Sequence, residues 1–443
     1  MVNINEVVAL YDDEIGVIWV PEYGEVRATS PEHAKLIEEC IFKSQNMELP
    51  QNEVDMFTDY IADCFRGSER LTGIRFPRLS ERTDLHRVEV VITNSCNLRC
   101  KYCYADAGSY GLNRKHISPI DATKYLDALL AAGYNSIDEI MFFGGEPTLF
   151  PDTIEEVCKF ITRKRRDGAL IKAPSFTMVT NGTLINDRIA EIVSKYHIYV
   201  TISIDGPACI NDKLRVDSQE KGVFDTVSTG IEILKKWGVD VRLIEATYTV
   251  LHKESGYSRE QIKEYLSSTF GVKNILVADC EEIASSHGYA CDDVQDIIEF
   301  AMNNADDSIK ARLIRSMNSK RRYFECSCEG GFGNLSITPG GDIYPCHAYL
   351  GHEEYLLARF MHNKYLFDEN VYDVLKKGSK TNTRCEKCWA RVYCSICPAI
   401  IGLAEQSLNF MCQVEKEAIK EMILKYTKSI FLNSKRKEGV INA

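Results

Sequence analysis

No apolar run in this sequence approaches the ~18–20 residues that a membrane-spanning helix needs. The first twenty residues carry Asp12, Asp13 and Glu14 and lack the basic start and apolar core of a secretory signal. Together these absences predict a cytoplasmic protein with no membrane partner. A basic excess is missing too: 53 Lys and Arg stand against 64 Asp and Glu, for a net charge of −11. That is the wrong sign for a general grip on a phosphate backbone, so no nucleic-acid partner is expected. The short basic clusters Lys164-Arg165-Arg166 and Lys320-Arg321-Arg322 read as solvated helix faces. There is neither a low-complexity segment nor a short internal repeat. The 443 residues are enough for one large domain or two to three ordinary ones.

Cysteine, by contrast, is abundant. In a reducing compartment seventeen of them point to metal rather than to disulfides. Three fall at 96–103 and eight more between 326 and 412. Soft thiolates select zinc, copper(I) or iron–sulfur clusters, and composition does not choose among these. Cys40, Cys64, Cys158, Cys209, Cys280 and Cys291 lie outside both groups and read as apolar or inert thiols.

Three regions follow from the patterning. In residues 1–80, Val7–Tyr11, Gly16–Val20 and Glu25–Thr29 are strand-like runs separated by turn residues. Ser30 offers a helix N-cap with Pro31 behind it, and a second helix carries Val54, Phe57, Ile61 and Cys64 on one face. This reads as a small, separate winged-helix-like unit. Across residues 86–310 six strand-like runs alternate with amphipathic helices: Val88–Thr93, Glu139–Phe143, Phe176–Thr180, Tyr199–Ile204, Val241–Thr247 and Asn274–Ala278. Such alternation implies an α/β fold with a parallel sheet, and ligands at the carboxyl ends of its strands. In residues 320–443 periodicity gives way to Gly-marked loops and cysteines, a pattern usually organised by bound metal, with a closing helix near Val414–Tyr426.

Cys96-x3-Cys100-x2-Cys103 follows the first of the six strands. Three thiolates hold three irons of a cube and leave the fourth open, whereas electron-transfer cubes close with four. The run Cys96-Asn97-Leu98-Arg99-Cys100-Lys101-Tyr102-Cys103 resembles the signature of the radical S-adenosylmethionine (SAM) enzymes, including the aromatic Tyr102 before the last thiol. Later strand ends agree: Gly144-Gly145-Glu146-Pro147, Thr180-Asn181-Gly182, and Ser203-x-Asp205-Gly206 with Arg215 beyond. The resemblance implies a partial (β/α)6 TIM-like barrel and a [4Fe–4S] cluster on Cys96, Cys100 and Cys103. It implies that Gly144, Gly145 and Glu146 grip the methionine amino group. Thr180, Asn181, Ser203 and Asp205 would contact the ribose and methionyl part. Arg215 could pair with the carboxylate, a surface ion pair being the other reading, and Glu245–Thr249 resembles a fifth-strand contact.

The later cysteines, Cys328-x12-Gly341-x4-Cys346, then Cys385-x2-Cys388-x5-Cys394-x2-Cys397 and Cys412, resemble the SPASM domain of peptide-modifying radical SAM enzymes. That resemblance implies two auxiliary [4Fe–4S] clusters, three in all. Cys328, Cys346 and Cys397 match ligands of the first, and Cys385, Cys388, Cys394 and Cys412 those of the second. The spacing between Cys394 and Cys397 is one residue shorter than the family's, and Cys326 stays open as a further ligand. The implied function is thioether formation in a ribosomally made, cysteine-containing precursor peptide, as in sactipeptide and ranthipeptide maturases. Its leader would bind the N-terminal unit by strand addition, and a flavodoxin- or ferredoxin-type protein would supply electrons. Alternatives are formylglycine formation as in anaerobic sulfatase maturases, carbon–carbon cross-linking, and a non-catalytic iron–sulfur electron carrier. In the sulfatase maturases an aspartate follows the cysteine of Gly-x4-Cys, where this chain has His347. No catalytic side chain beyond these is assigned.

Overall fold

Short turns of Asp, Gly and Pro fold the N-terminal residues into an antiparallel meander, as their pattern predicts. The computed structural model describes residues 6–280, 322–403 and 405–437. Strands β1 (Val8–Tyr11), β2 (Gly16–Val20) and β3 (Glu25–Thr29) pair in that order. Helix Pro31–Gln45 follows, with the Ser30 hydroxyl accepting from His33 N at 3.2 Å, and then helix Gln51–Cys64.

Every residue of β2 is buried, which a sheet covered on one face cannot achieve. Ile18 and Val20 pack with Ala34, Ile37, Ile41 and Ile61 of the two helices. Val17 and Trp19 point the other way, into Ala390, Val392, Tyr393, Ile419 and Met422. The meander is therefore not the separate unit that its sequence suggests. It shares a core with the last third of the chain, and one compact unit gathers the described residues up to Phe76, 322–328, and those from Lys376 onward. Within it β4 (Thr72–Ile74) is a short strand after the second helix.

The second unit holds the parallel sheet. Strands β5 (Asp84–Thr93), β6 (Ser136–Gly144), β7 (Ser175–Thr180), β8 (Tyr199–Ser203), β9 (Leu243–Tyr248) and β10 (Ile275–Asp279) lie side by side in chain order, all parallel. These are the six runs expected, each within a few residues. Helices such as Pro119–Ala131, Pro151–Arg166 and Asp187–Tyr196 cover one face. Alternation then sorts the side chains: in β9, Ile244, Ala246 and Tyr248 are buried against that layer, while Glu245 and Thr247 face the concave side.

Strand β11 (Arg322–Phe324) pairs with β4 in the first unit. The following strands return to the parallel sheet. β12 (Asn334–Ile337) lies parallel to β5, and β13 (Ile343–Tyr344), β14 (Ala358–Met361) and β15 (Lys364–Phe367) extend the sheet antiparallel to ten strands. Residues 329–375, grouped by sequence with the cysteine field, thus belong with the barrel strands. Strands of two to four residues carry too little periodicity to be read alone. Neighbouring strands supply their pairing. The closing helix, Glu405–Lys437, is longer than the segment expected. Among the described residues no helix is long and apolar enough to cross a membrane.

Candidate functional site

The loop after β5 is tied down along its length by hydrogen bonds to backbone carbonyls. Thr93 Oγ1 donates to Lys115 O at 2.8 Å, Arg99 N to Val216 O at 2.7 Å and Lys101 N to Leu214 O at 2.8 Å. Cys96, Cys100 and Cys103 are half-buried on it. Leu98 N donates to Cys96 Sγ at 3.4 Å and Asn181 Nδ2 to the same sulfur at 3.7 Å, the kind of outer-shell bond that orients a thiolate ligand. Burial, reinforced by the Glu146 carboxylate, pushes the Cys96 thiol up to about 11; burial pushes Cys100 up to about 12. Metal binding must displace these protons.

The donor set fits a cube: three soft thiols on one loop, none of them in a disulfide. A Cβ on Gly145 would come within 2.3 Å of Ser95 O and 3.0 Å of Cys96 N, so only glycine lets the two loops meet. Among the described residues no three His, Cys, Asp or Glu side chains are grouped to hold a single metal ion. A cube, larger than one ion, spreads its ligands more widely.

Glu146 follows β6 and is fully buried. Thr148 N and Oγ1 donate to its Oε1 at 3.0 and 2.5 Å, Thr180 Oγ1 donates there at 2.6 Å, and Asn181 N donates to Oε2 at 2.8 Å. Three donors meet at Oε1 and one at Oε2, so the side chain ties the ends of β6 and β7 together while Oε2 takes a single described donor. Thr180 serves the same tie, whereas Asn181 reaches both Cys96 and Asn97 Oδ1, the latter at 3.0 Å.

A second network lies beyond β8. Asp205 is fully buried; Tyr102 donates its hydroxyl to Oδ2 at 2.6 Å and Thr247 N donates to Oδ1 at 3.0 Å. Arg215 Nε stands 3.0 Å from Asp205 Oδ2, an ion pair without hydrogen-bond alignment. Its guanidinium lies 5.6 Å from the centre of the Tyr102 ring. Arg215 is buried rather than on the surface, and Asp205 is its ion-pair partner. Behind them Thr249 N donates to His252 Nδ1 at 3.0 Å, which places the imidazole proton on Nε2, donating to Asp205 O at 2.7 Å. Burial lowers the His252 pKa, so the ring stays neutral. Ser203 ends β8 in register with Glu245.

Sequence reasoning missed the group opposite. Glu89 Oε2 accepts from His347 N at 3.1 Å and from the Ser336 hydroxyl, and His347 Nδ1 stands 3.2 Å from both carboxylate oxygens. Burial alone would raise Glu89, but His347 and Ser336 outweigh it and hold the carboxyl below its usual range; Glu89 in turn raises His347. The one available signal was a charged residue inside the apolar run Val88-Glu89-Val90-Val91.

In the other unit, Cys394, Cys397 and Cys412 pack around Ile396, Ile400 and Leu408. Cys388 is an electrostatic neighbour of Cys385, Cys394 and Cys412. Ser327 Oγ donates to Ile396 O at 2.7 Å and binds the Cys326–Cys328 segment to this loop; Cys326 is buried and Cys328 exposed. Cys346 follows β13 in the barrel unit. Among the described residues no cysteine forms a disulfide, and Cys291 lies outside them.

The profile of the Radical SAM superfamily matches residues 90–266, which span the thiol loop and strands β5–β9. An uncharacterized protein of Methanocaldococcus jannaschii, MJ0907, is 31% identical over 257 residues, 58% of this chain and 82% of its own. A cysteine-type anaerobic sulfatase-maturating enzyme of Clostridium novyi is 24% identical over 329 residues, 67% of this chain and 83% of its own. Streptococcus suis SuiB bound to precursor peptide SuiA shares the fold at 16% identity with a TM-score of 0.51, covering 92% of this chain and 99% of that one. The strand ends and the thiol loop thus have a shared ancestry as well as a geometry: this chain belongs to the radical SAM superfamily.

Proposed function

We propose that this protein forms thioether bonds between cysteine sulfur and carbon in a ribosomally made precursor peptide. The observation that carries the reading is that Cys385, Cys394 and Cys412 all neighbour Cys388, in a chain that also presents the thiol loop of Cys96, Cys100 and Cys103. SAM and a reduced cluster, when bound, supply hydrogen-atom abstraction. Cys96, Cys100 and Cys103 would hold that cluster. The Gly144-Gly145 backbone, Asn181, Ser203 and Tyr102 would border SAM. Thr180 and Glu146 fix the strand ends, and Asp205 with Arg215 fixes Tyr102. The second thiol field would house two auxiliary clusters, Cys328, Cys346 and Cys397 on one and the remaining four cysteines on the other.

Closing a thioether replaces one C–H and one S–H bond by C–S, so a hydrogen atom, a proton and an electron leave the peptide. The second thiol field offers a place for an electron acceptor, and a flavodoxin- or ferredoxin-type donor would reduce the first cluster. β3 is an edge of its sheet and can accept a leader as an added strand. The similarity to a sulfatase-maturating enzyme favours formylglycine formation as a second reading. Against it stands His347, paired with Glu89, in the place of that family's aspartate.

Co-expression with the cysteine-rich peptide encoded beside the gene decides among them. Thioethers remove two hydrogens per modified cysteine and leave those thiols unalkylatable. Carbon–carbon bonds remove hydrogens but leave every thiol free, and formylglycine removes the sulfur. Reduced protein that makes no 5′-deoxyadenosine from SAM would sink every enzymatic version and leave the electron carrier.

A further inference from the structure

The residues just after the thiol loop have an uncommon backbone. Asp106, Ala107 and Tyr110 adopt φ of 46°, 53° and 51°, and Gly108 and Gly111 are also left-handed. Left-handed geometry costs a side-chain-bearing residue roughly 1–2 kcal/mol, and such strain concentrates where function needs it. Neighbours wedge the turn in place. A Cβ on Gly108 would lie 2.4 Å from Gly145 Cα, and one on Gly351 would lie 2.3 Å from Tyr110 O. Asp106 N donates to Cys103 O at 3.3 Å and Tyr110 N to Ala105 O at 3.0 Å, which closes the turn directly onto the third thiol.

The turn brings two rings together. Tyr104 and Tyr110 meet edge to face with centres 6.0 Å apart, and His347 lies 6.5 Å from Tyr104. Tyr104 adjoins the third thiol and is 44% exposed, with the Tyr110 and His347 rings as its aromatic neighbours, so part of its ring is open to a bound group.

We propose that Tyr104, backed by Tyr110 and presented by the left-handed turn at 106–111, is the wall that holds the reacting residue of the peptide and keeps water from it. This rests on the peptide-modifying reading above. A rigid aromatic ring gives large contact area at low entropic cost, and excluding water protects a reactive site from side reactions.

The test compares wild type, Tyr104→Ala and Tyr104→Phe, each reconstituted with iron and sulfide and given SAM, dithionite and the cysteine-rich peptide encoded beside the gene. The readouts are 5′-deoxyadenosine formed per cross-link, peptide affinity by fluorescence anisotropy, and iron content. Tyr104→Ala should raise 5′-deoxyadenosine per cross-link by about tenfold or more, because misplaced reactants lose coupling before they lose binding. Affinity and iron should hold, and Tyr104→Phe, which keeps the ring, should stay near wild type. A Tyr104→Ala ratio equal to that of wild type at equal iron overturns the proposal, as does an equal loss in Tyr104→Phe. If Tyr104→Ala loses iron, Tyr110→Ala decides: a raised ratio supports the wall and an unchanged one overturns it. Wild type that cleaves no SAM removes the function and the proposal together; wild type that cleaves SAM but leaves the peptide unmodified removes only the peptide reading and what depends on it.

Discussion

The two thiol groups of this protein are supported in opposite ways. The loop of Cys96, Cys100 and Cys103 sits among strand ends cross-braced by Glu146 and Asp205, each buried and hydrogen-bonded through both oxygens. The loops of Cys385–Cys397 rest on apolar packing and short turns, with Asn382 capping the turn at Cys385. The first site is braced by buried polar side chains of the polypeptide. The other gathers thiols from short loops and from the closing helix and should lean more on its metal for order.

Substitution of ligands tests this contrast with the largest expected effect. Cys96→Ala should abolish 5′-deoxyadenosine formation, by more than about a thousandfold, while circular dichroism and melting temperature change little. Cys388→Ala should retain SAM cleavage without peptide but lose iron and melt earlier. Similar melting losses in both variants would erase the distinction.

Next in size is Trp19→Ala. Trp19 is fully buried and its Nε1 donates to Trp389 O at 3.3 Å, so the cavity should cost about 3–5 kcal/mol in denaturant unfolding. Because Trp19 packs against the segment before Cys394, iron retention in the second field should fall while SAM cleavage survives. Glu146→Ala should follow at about 3 kcal/mol, since its four donors lose their acceptor, with SAM binding weakened as measured by equilibrium dialysis.

The smallest effect is a pH slope. His252 is buried neutral with a lowered pKa. Its contribution is complete above the unfolded value of about 6.5 and is lost as pH falls through the lower folded value. Wild type should lose about 1 kcal/mol more than His252→Asn between pH 7 and 5 in urea titrations. Equal slopes would show that this ring does not brace Asp205.

Much of the barrel was legible because its signals are local. The six strands show in the alternation, and Ser30 caps its helix as its residue type demands. The thiol loop was equally plain, since spacing along a loop needs no tertiary partner. The buried partners of Glu146 and Arg215 were not. A carboxylate or guanidinium reads the same whether it meets a ligand or a buried neighbour, and these have Thr180 with Asn181, and Asp205. Nor could β2 reveal on its own that its second face is covered by residues some 370 positions away, as the Trp19 to Trp389 bond shows.

By itself the sequence determined which residues are strands and helices in the barrel, and which three thiols stand together after β5, because periodicity and short spacing are properties of the local chain. Only the tertiary structure decided that residues 329–375 join the barrel sheet and that the N-terminal meander shares a core with the last third. It alone seated Glu89 against His347 and brought the Tyr104 ring beside that of His347. Those outcomes depend on which surfaces meet, and free energy is gained there by partners far apart in the chain.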